Sequence, residues 1–327
     1  MANYLVTGAA GFIASRVVEF LIRDGHTVLG IDNMNDAYDV RMKEYRLRKL
    51  QELPGFTFHE LDVADRSILD PATFGLSSLE FDGVINLAAR AGVRASTENP
   101  WVFIETNVTG TLNLLELCRH NNVKKFILAS TSSIYGANPP YPTPEDSASD
   151  RPLQPYAASK KGAEALCHSY HHLFDIDVSI VRYFTVYGPA GRPDLAMFRF
   201  VQWISEGRPV RVNGDGEQSR GFTYLDDIAR GTIQALKPLG FEIINLGGHE
   251  TITINQLIEL TEELVGKKAI IEHGPFHPAD MRNNWADVTK AGKLLGWEPQ
   301  VDLREGMKRL IDWYNTERSW AKEILTP

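Results

Sequence analysis

The sequence predicts an α/β protein: a doubly wound parallel sheet with helices on both faces, then a smaller, mainly helical C-terminal lobe. Up to about residue 185, short apolar runs alternate with helical patterns, which is typical of β-α-β units. Beyond that point helical stretches dominate. With 327 residues, 43% of them hydrophobic, the chain can bury a core of this size. We expect one domain over residues 1–184 and a second lobe, interleaved with it, over 185–327.

Six apolar runs predict the strands of the sheet. In chain order they are YLVTG, TVLGID, FTFHELDV, GVINLAA, FILAST and VSIVRYF. Helical patterns such as FIASRVVEFLIRDG and TGTLNLLELCRHNN lie between them, and right-handed crossovers of this kind join parallel strands. Open parallel sheets bind ligands beyond the carboxyl ends of their strands. Residues at those ends are therefore the first candidates for function.

The second lobe is predicted from three helical stretches, AMFRFVQWISEG, INQLIELTEELVG and LREGMKRLIDWYNTERSWAKE. Before it, the Pro-rich segment NPPYPTPEDSASDRP has the composition of a surface loop. No internal repeat or low-complexity tract interrupts either part.

Bulk properties exclude several classes of function. The net charge of −8 argues against general nucleic-acid binding, which needs a basic surface. No apolar run approaches the roughly 20 residues that cross a bilayer, and the first residues enter a strand without a signal-peptide pattern. Cys118 and Cys167 lack metal or redox spacing, so we expect reduced, buried thiols and a cytoplasmic protein without membrane contact.

A glycine-rich turn follows the first strand. In VTGAAGFIA, Gly8 and Gly11 let the backbone approach a pyrophosphate at a helix N-terminus, with Ala14 at the third position. Asp32 ends the second strand, near the expected spacing of about 20 residues for a ribose-binding acid. Such an acid accepts from both ribose hydroxyls and repels a 2′-phosphate. The first domain is therefore predicted to be a Rossmann-type domain that binds NAD in preference to NADP.

Two further strand ends fit the same pocket. Asp62 is placed to bond the adenine amino group, and residues 86–89 supply small side chains where a cofactor crosses the sheet. Each is equally compatible with a turn or with plain packing.

Tyr156 and Lys160, in PYAASKKGAEAL, have the spacing of neighbours on one helix face. An ammonium beside a phenol, together with a positive nicotinamide ring, lowers the pKa of the phenol from about 10 towards 7, which takes roughly 4 kcal/mol. The pair would then supply a general base. Tyr45 and Lys49 have the same spacing, but their basic surroundings indicate a solvated helix face.

Four hydroxyl residues, Ser130 to Ser133, follow the strand that precedes this helix. Hydroxyls at a strand end usually bond to nearby backbone and shape a turn. That interpretation remains open beside a catalytic one.

Together these features resemble the extended short-chain dehydrogenase/reductase family, particularly its nucleotide-sugar epimerases, over essentially the whole chain. The resemblance is strongest to the UDP-glucuronate 4-epimerases, in the segments DNMNDAYDVRMKEYRLRKL, AGVRASTENP, YFTVYGPAGRPD and QSRGFTYLDDI. It implies an isomerase that uses tightly bound NAD⁺ to interconvert UDP-glucuronate and UDP-galacturonate. The hydride leaves C4, a 4-keto sugar rotates, and the hydride returns to its other face.

The resemblance also implies the site residues. Thr131, Tyr156 and Lys160 would be the catalytic triad. Cofactor contacts would come from Gly8, Gly11, Phe12, Ile13, Asp32, Asn33, Asp62, Val63, Leu87, Ala88, Ala89, Asn107, Ser130, Tyr156, Lys160 and Tyr183. Substrate contacts would come from Arg94, Thr131, Ser132, Ser133, Tyr156, Thr185, Arg192, Arg220 and Arg282. His277 stands where related epimerases place a phosphate-binding Arg, so His277 and Arg282 are both candidates for the diphosphate.

A 4-keto uronic acid is a β-keto acid that readily loses carbon dioxide. We hypothesise that Ser132, Ser133 and Thr185 hold the carboxylate in one orientation. In that orientation the bond that would break on decarboxylation stays out of line with the ketone π system. Relatives that eliminate water carry Asp-Glu at positions 132 and 133, and decarboxylases place a Glu near Ser133. Neither feature is present.

Three alternatives stay open. They are a UDP-glucuronate decarboxylase, a 4-epimerase of a neutral UDP-sugar, and a non-catalytic NAD-binding regulator, which would typically have lost Tyr156 or Lys160. His168, His171 and His172 have helical metal-ligand spacing but no further ligand nearby, so no metal is expected. The resemblance further implies a homodimer that associates through the helices of PWVFIETNVTGTLNLLELC and YAASKKGAEALCHSYHHLF.

Overall fold

A computed structural model describes residues 1–248, 250–275 and 282–326. Its strands are β1 Asn3–Thr7, β2 Thr27–Asp32, β3 Phe56–Glu60, β4 Gly83–Asn86, β5 Lys125–Thr131, β6 Asp177–Tyr183, β7 Thr185–Tyr187, β8 Pro209–Asn213, β9 Ser219–Tyr224, β10 Phe241–Leu246, β11 Glu250–Thr253, β12 Ile270–Gly274 and β13 Asn283–Asn284. Its α-helices are α1 Phe12–Arg23, α2 Arg41–Gln51, α3 Ala95–Glu98, α4 Pro100–Ile104, α5 Gly110–His120, α6 Pro155–Phe174, α7 Ala196–Glu206, α8 Leu225–Gln234, α9 Ile254–Val265, α10 Thr289–Leu295, α11 Leu303–Thr316 and α12 Arg318–Ala321.

The main sheet has seven parallel strands in the order β10-β6-β5-β4-β1-β2-β3. All six predicted strands are confirmed, and the order reverses beside β1, where doubly wound sheets bind nucleotides. The seventh strand, β10, was not predicted. Because it follows residue 185 in the chain, the C-terminal part of the sequence completes the sheet of the N-terminal part.

Helices bury the sheet on both faces. Val17, Val18 and Leu21 of α1 pack on one face with residues from α8 and α10. Leu114 and Leu117 of α5 pack on the other face with residues from α6. These side chains have no exposed surface, and each contributes roughly 1.5–3 kcal/mol through burial.

The second lobe packs α7, α9 and α11 around its own core. It also holds two small sheets that were not predicted: β9 lies between β11 and β13 and also pairs with β7, and β8 pairs with β12. Among the described residues no helix is long and apolar enough to span a bilayer.

The Pro-rich loop is more than a surface connection. Thr143 N donates to Trp285 O at 3.0 Å, and Asp287 N donates to Thr143 O at 2.9 Å. The Tyr141 ring stacks on Trp285 with centroids 4.6 Å apart. These contacts hold the segment 283–287 across the carboxyl ends of the main sheet.

Candidate active site

The turn after β1 forms a cradle that only glycine permits. Gly8 has a φ of +68°, and a Cβ there would come within 2.9 Å of the Ala88 backbone. A Cβ on Gly11 would lie 2.7 Å from Gly8 O. Gly11 is also the N-cap of α1 and provides no side-chain cap, so the first N–H groups of the helix remain available to an anion. Phe12 and Ile13 begin that helix. The cradle fits a pyrophosphate.

Asp32, the predicted ribose ligand at the end of β2, has a partner that the sequence did not reveal. Its Oδ1 accepts from Met34 N at 2.9 Å and from Lys43 Nζ at 3.1 Å. Both side chains of the Asp32–Lys43 pair are about 95% buried, at 5% and 6% exposure. Within the described residues, Oδ2 makes no hydrogen bond and remains available to ribose hydroxyls. Lys43 was missed because its spacing from Asp32 follows no motif.

A chain of polar side chains crosses the carboxyl ends of β2, β3 and β4. Asn33 Nδ2 donates to Asp62 Oδ2 at 2.8 Å, and Asn35 Nδ2 donates to Asn33 Oδ1. Arg90 Nη1 donates to Asn35 Oδ1 at 3.0 Å. Asn33 and Asp62, both predicted, are thus brought together. Asn35 and Arg90 extend the set towards the end of β4.

The end of β4 is fixed by buried hydrogen bonds. Thr7 Oγ1 donates to Asn86 Oδ1 at 2.8 Å and accepts from Ala88 N at 3.0 Å. Asn86 Nδ2 donates to Thr111 Oγ1 at 3.1 Å. Leu87, Ala88 and Ala89 follow as half-buried residues beside the glycine cradle.

Four of the predicted cofactor residues use their side chains within the protein. Asn107 is 1% exposed; its Oδ1 accepts from Arg90 N, and its Nδ2 donates to Arg90 O and Ser159 Oγ. The Tyr183 hydroxyl shares a 2.7 Å hydrogen bond with Thr232. The Val63 side chain is buried in the core with residues of α5, and its backbone carbonyl accepts from Asn113 Nδ2. These side chains brace the site, and so does that of Ser130.

The four strand-end hydroxyls have three different surroundings, because Thr131 Oγ1 also donates to Ser133 Oγ at 3.3 Å and these two hydroxyls form one pair. Ser130 Oγ donates to Glu164 Oε1 at 2.6 Å in the interior. Thr131 Oγ1 accepts from Ser133 N at 3.2 Å and caps the short 3-10 helix Ser132–Tyr135. Ser132 Oγ accepts from Asn284 Nδ2 at 3.0 Å. Turn capping, the simpler interpretation, therefore describes Thr131 but not its neighbours.

Glu164 is a buried carboxylate that the sequence analysis did not single out. It lies one helical turn after Lys160 and accepts from Arg182 Nε at 3.0 Å and Nη2 at 2.8 Å. Burial opposes its charge, but Arg182 and Ser130 hold the pKa of Glu164 below its ordinary value. Arg182 Nη1 continues to the Tyr135 hydroxyl at 3.0 Å. This network joins β5, β6 and α6 directly behind the catalytic candidates.

The Tyr156 phenol lies beside Thr131, and its ring meets Phe103 edge-on at 6.1 Å. Burial raises the pKa of Tyr156 above its ordinary value, while the hydrogen bond with Thr131 and the charge of Arg192 lower it. Within the chain by itself, Arg192 is therefore a cation that favours the phenolate, and local sequence patterns did not reveal it. The further lowering expected from Lys160 together with a nicotinamide ring stays a prediction.

Lys160 is 2% exposed, and within the described residues its ammonium makes no hydrogen bond. Burial lowers its pKa to about 8, while the charge of Glu164 acts in the opposite direction. A buried ammonium without a partner is costly, so this group is suited to hold ribose hydroxyls of a bound cofactor.

The predicted substrate arginines lie around the same edge. Arg192 is paired with Asp194 through Nε at 3.0 Å and Nη2 at 2.6 Å; burial opposes its charge, but Asp194 raises its pKa. Arg220 Nη1 donates to Arg282 O at 3.0 Å, which joins β9 to the start of the 282–287 segment. Arg94 and Arg282 are exposed. Thr185 begins β7 and is half-buried, in register with Phe222 of β9.

Other predicted features lie apart from the site. His277 is outside the described residues. His168 and His171 pack against Phe241, with ring centroids 5.0 and 5.5 Å apart, and the described part of the chain contains no group of three potential metal ligands. Cys118 and Cys167 are free and buried, and burial raises the pKa of both thiols.

Comparisons with known proteins agree with this geometry. The family model described as "NAD dependent epimerase/dehydratase family" matches residues 4–247. A UDP-glucuronate 4-epimerase of Thermodesulfobacterium geofontis is 57% identical over 328 residues, which cover 99% of each chain. Among solved structures, the UDP-glucuronic acid 4-epimerase of Bacillus cereus, in complex with UDP-glucuronic acid and NAD, has a TM-score of 0.89 and 36% identity over 96% of this chain and 99% of that chain. A UDP-glucose 4-epimerase of Thermotoga maritima with UDP-glucose has a TM-score of 0.88 and 32% identity, over 97% of this chain and 99% of that chain. The chain described here belongs to the NAD dependent epimerase/dehydratase family.

Proposed function

We propose that this chain is an NAD-dependent epimerase that interconverts UDP-glucuronate and UDP-galacturonate at C4. The observation that supports it best is the carboxyl end of β5, where Thr131 meets the Tyr156 phenol and Ser132 and Ser133 follow directly. A hydroxyl-lined strand end beside an ionisable phenol suits a sugar that carries both a reacting alcohol and a carboxylate. The 57% identity to a UDP-glucuronate 4-epimerase supports the same substrate.

The chain offers a complete set of groups for NAD. Gly8, Gly11 and the N-terminus of α1 would hold the pyrophosphate, and Asp32 and Lys160 would each hold a ribose. When bound, NAD⁺ would accept a hydride from C4 and return it, so that it need not be replaced between turnovers.

Tyr156 would take the proton of the 4-hydroxyl and give it back after the sugar turns over. Thr131 would orient the reacting hydroxyl and share its own hydrogen bond with the phenol. Because burial disfavours the phenolate, nearby positive charge is required; Arg192 provides part of it, and the positive charge of the cofactor adds to it.

The uronate carboxylate would be held by Ser132, Ser133 and Thr185. We expect the triple alanine variant to release more carbon dioxide and to form more UDP-pentose, because the carboxylate is then free to align with the ketone. The ratio of pentose to epimer, measured by chromatography, checks this. An unchanged ratio would reject the role of these hydroxyls.

Arg192, Arg220 and Arg282 would hold the diphosphate, with Arg94 on the loop flanking the sugar. Guanidinium groups match phosphate geometry, and all four lie on the lobe or loops around the carboxyl edge of the sheet. Residues 185–327 would therefore serve as the substrate lobe, and residues 1–184 as the NAD-binding domain.

We also propose a homodimer formed through α4 and α6. Trp101 and Ile104 on α4 are 76% and 44% exposed, and Leu173 on α6 is 65% exposed. Large apolar side chains so exposed on neighbouring helices favour a self-association surface. Trp101→Glu should shift the mass measured by light scattering to that of a monomer, while Ile270→Glu, at an exposed apolar position on β12, should not. A cytoplasmic location fits the two buried free thiols.

The decisive experiment is product analysis with purified protein, UDP-glucuronate and no added cofactor. UDP-galacturonate is the expected product. A UDP-pentose would indicate a decarboxylase, and turnover of UDP-glucose alone would indicate an epimerase for neutral sugars. No turnover even after NAD⁺ is added would leave only a regulatory role.

A further inference from the structure

Asn284 connects the C-terminal lobe to the end of β5. It lies in β13, which pairs with Ser219 and Arg220 of β9. Its Nδ2 donates to Ser132 Oγ at 3.0 Å across 152 residues of sequence. The segment that carries it is fixed by the hydrogen bonds of Thr143 with Trp285 and Asp287. The Asn284 amide is therefore held in position by backbone pairing on both sides.

The direction of this hydrogen bond determines what Ser132 can do. An amide nitrogen can only donate, so Ser132 uses a lone pair for Asn284 and keeps its own proton for another acceptor. Ser132 is 5% exposed, and within the described residues its hydroxyl accepts from Asn284 but donates no hydrogen bond. Ser130, two positions earlier, donates its proton to Glu164 within the protein. Ser132 differs from Ser130 because the proton of its hydroxyl group remains available to a ligand.

We propose that Asn284 is a specificity residue for acidic sugars: its amide orients Ser132 so that the Ser132 hydroxyl donates to the carboxylate of the substrate. This inference rests on the proposed function and extends it to a residue of the C-terminal lobe. A neutral sugar presents a hydroxyl at the same place, which gains less from a fixed donor than an anionic oxygen does.

Asn284→Asp tests the direction of the hydrogen bond with little change in shape. The new carboxylate would accept the Ser132 proton and place a negative charge beside the carboxylate of the substrate. We expect the affinity for UDP-glucuronate to fall by roughly 10–100-fold, the range for one hydrogen bond to a charged group, with UDP-glucose affinity unchanged within about twofold. Titration calorimetry with the NAD-loaded protein gives both values. Asn284→Ala should give a smaller loss, because Ser132 is then free to rotate.

Asn283→Asp is the matched control. The Asn283 Oδ1 accepts from Ser219 Oγ at 2.8 Å, an interaction that a carboxylate retains. We expect the ratio of UDP-glucuronate to UDP-glucose affinity to remain at the wild-type value. The control shares the segment and the added charge with Asn284→Asp, so it separates a general effect of charge from the effect on Ser132.

Two results would overturn the inference: an unchanged affinity of Asn284→Asp for UDP-glucuronate, or equal weakening of its binding to both nucleotides. The wild-type product assay keeps this outcome separate from the proposed function. If wild-type protein forms UDP-galacturonate but Asn284→Asp keeps its affinity ratio, only the role of Asn284 fails. If wild-type protein forms no epimer, the proposed function itself fails.

Discussion

Two Tyr-Lys pairs with identical helical spacing have opposite surroundings. On α2, the Tyr45 hydroxyl accepts from Trp313 Nε1 at 3.0 Å and donates to Glu317 Oε1 at 3.0 Å. The Tyr45 ring is buried, so the predicted solvated helix face is wrong for Tyr45, whereas Lys49 is exposed and lies over the ring with its Nζ 4.6 Å from the ring centre. The Tyr45 hydroxyl therefore both donates and accepts a hydrogen bond within the protein, and the Lys49 ammonium is in solvent.

On α6 the arrangement is reversed. Lys160 is buried without a hydrogen bond among the described residues, and the Tyr156 phenol reaches Thr131 at a strand end. Incomplete hydrogen bonding leaves both groups able to contact ligands. The comparison teaches that identical spacing can place a Tyr-Lys pair in very different surroundings. Only the α6 pair combines a buried ammonium with a phenol whose hydrogen bonding is incomplete, which is what the proposed catalysis requires.

The largest difference between the pairs should appear when each phenol is removed. Tyr156→Phe should lower kcat for epimerisation by about 10³-fold, within the range for loss of a general base, without loss of stability. Tyr45→Phe should keep kcat within about twofold but cost roughly 1–2 kcal/mol, because Glu317 and Trp313 lose a buried partner. Steady-state kinetics and urea unfolding test both variants. Inversion at wild-type rate in Tyr156→Phe would contradict the mechanism.

Removing each ammonium should have a smaller effect on rate than removing the phenol, and it should change stability in one pair only. Lys160→Met should lower kcat by at least about 10²-fold, because cofactor positioning and charge are lost. The gap between a pKa of about 8 and the ordinary 10.5 corresponds to roughly 3 kcal/mol, so the cofactor-free variant should gain up to that stability at pH 7. Lys49→Met should change the free energy of unfolding by less than about 0.5 kcal/mol. A destabilised Lys160→Met would show that Lys160 has a structural partner.

The smallest effect is a pH dependence confined to the α6 pair. The folded chain releases the Lys160 proton near pH 8, whereas the unfolded chain keeps it up to about 10.5. Between these values the unfolded state binds more protons, so wild-type stability rises with pH. The stability advantage of Lys160→Met should therefore shrink as the pH rises from 8 to 10. If the stability advantage of Lys160→Met stayed constant from pH 8 to 10, the pKa of Lys160 in the folded chain would not lie near 8.

The local patterns of the sequence were sufficient for the six strands of the first domain and for the Gly8–Gly11 turn. They failed for β10, because this strand lies among the helical stretches after residue 185 and joins the main sheet only by pairing with β6. They also placed Tyr156 and Lys160 on one helix, as α6 confirms. They did not reveal that the charge of Arg192 acts on the Tyr156 phenol, because Arg192 approaches from a loop that no local pattern connects to α6.

The sequence by itself determined six strands of the main sheet, the glycine cradle and the helix that presents the phenol, because apolar periodicity, glycine geometry and helical spacing act over a few residues. Only the tertiary structure decided which hydroxyl of the run meets which partner. Ser130 reaches Glu164 and Ser132 reaches Asn284 across 34 and 152 residues. A hydroxyl has one proton to donate, and the chain that folds against it determines where that proton points.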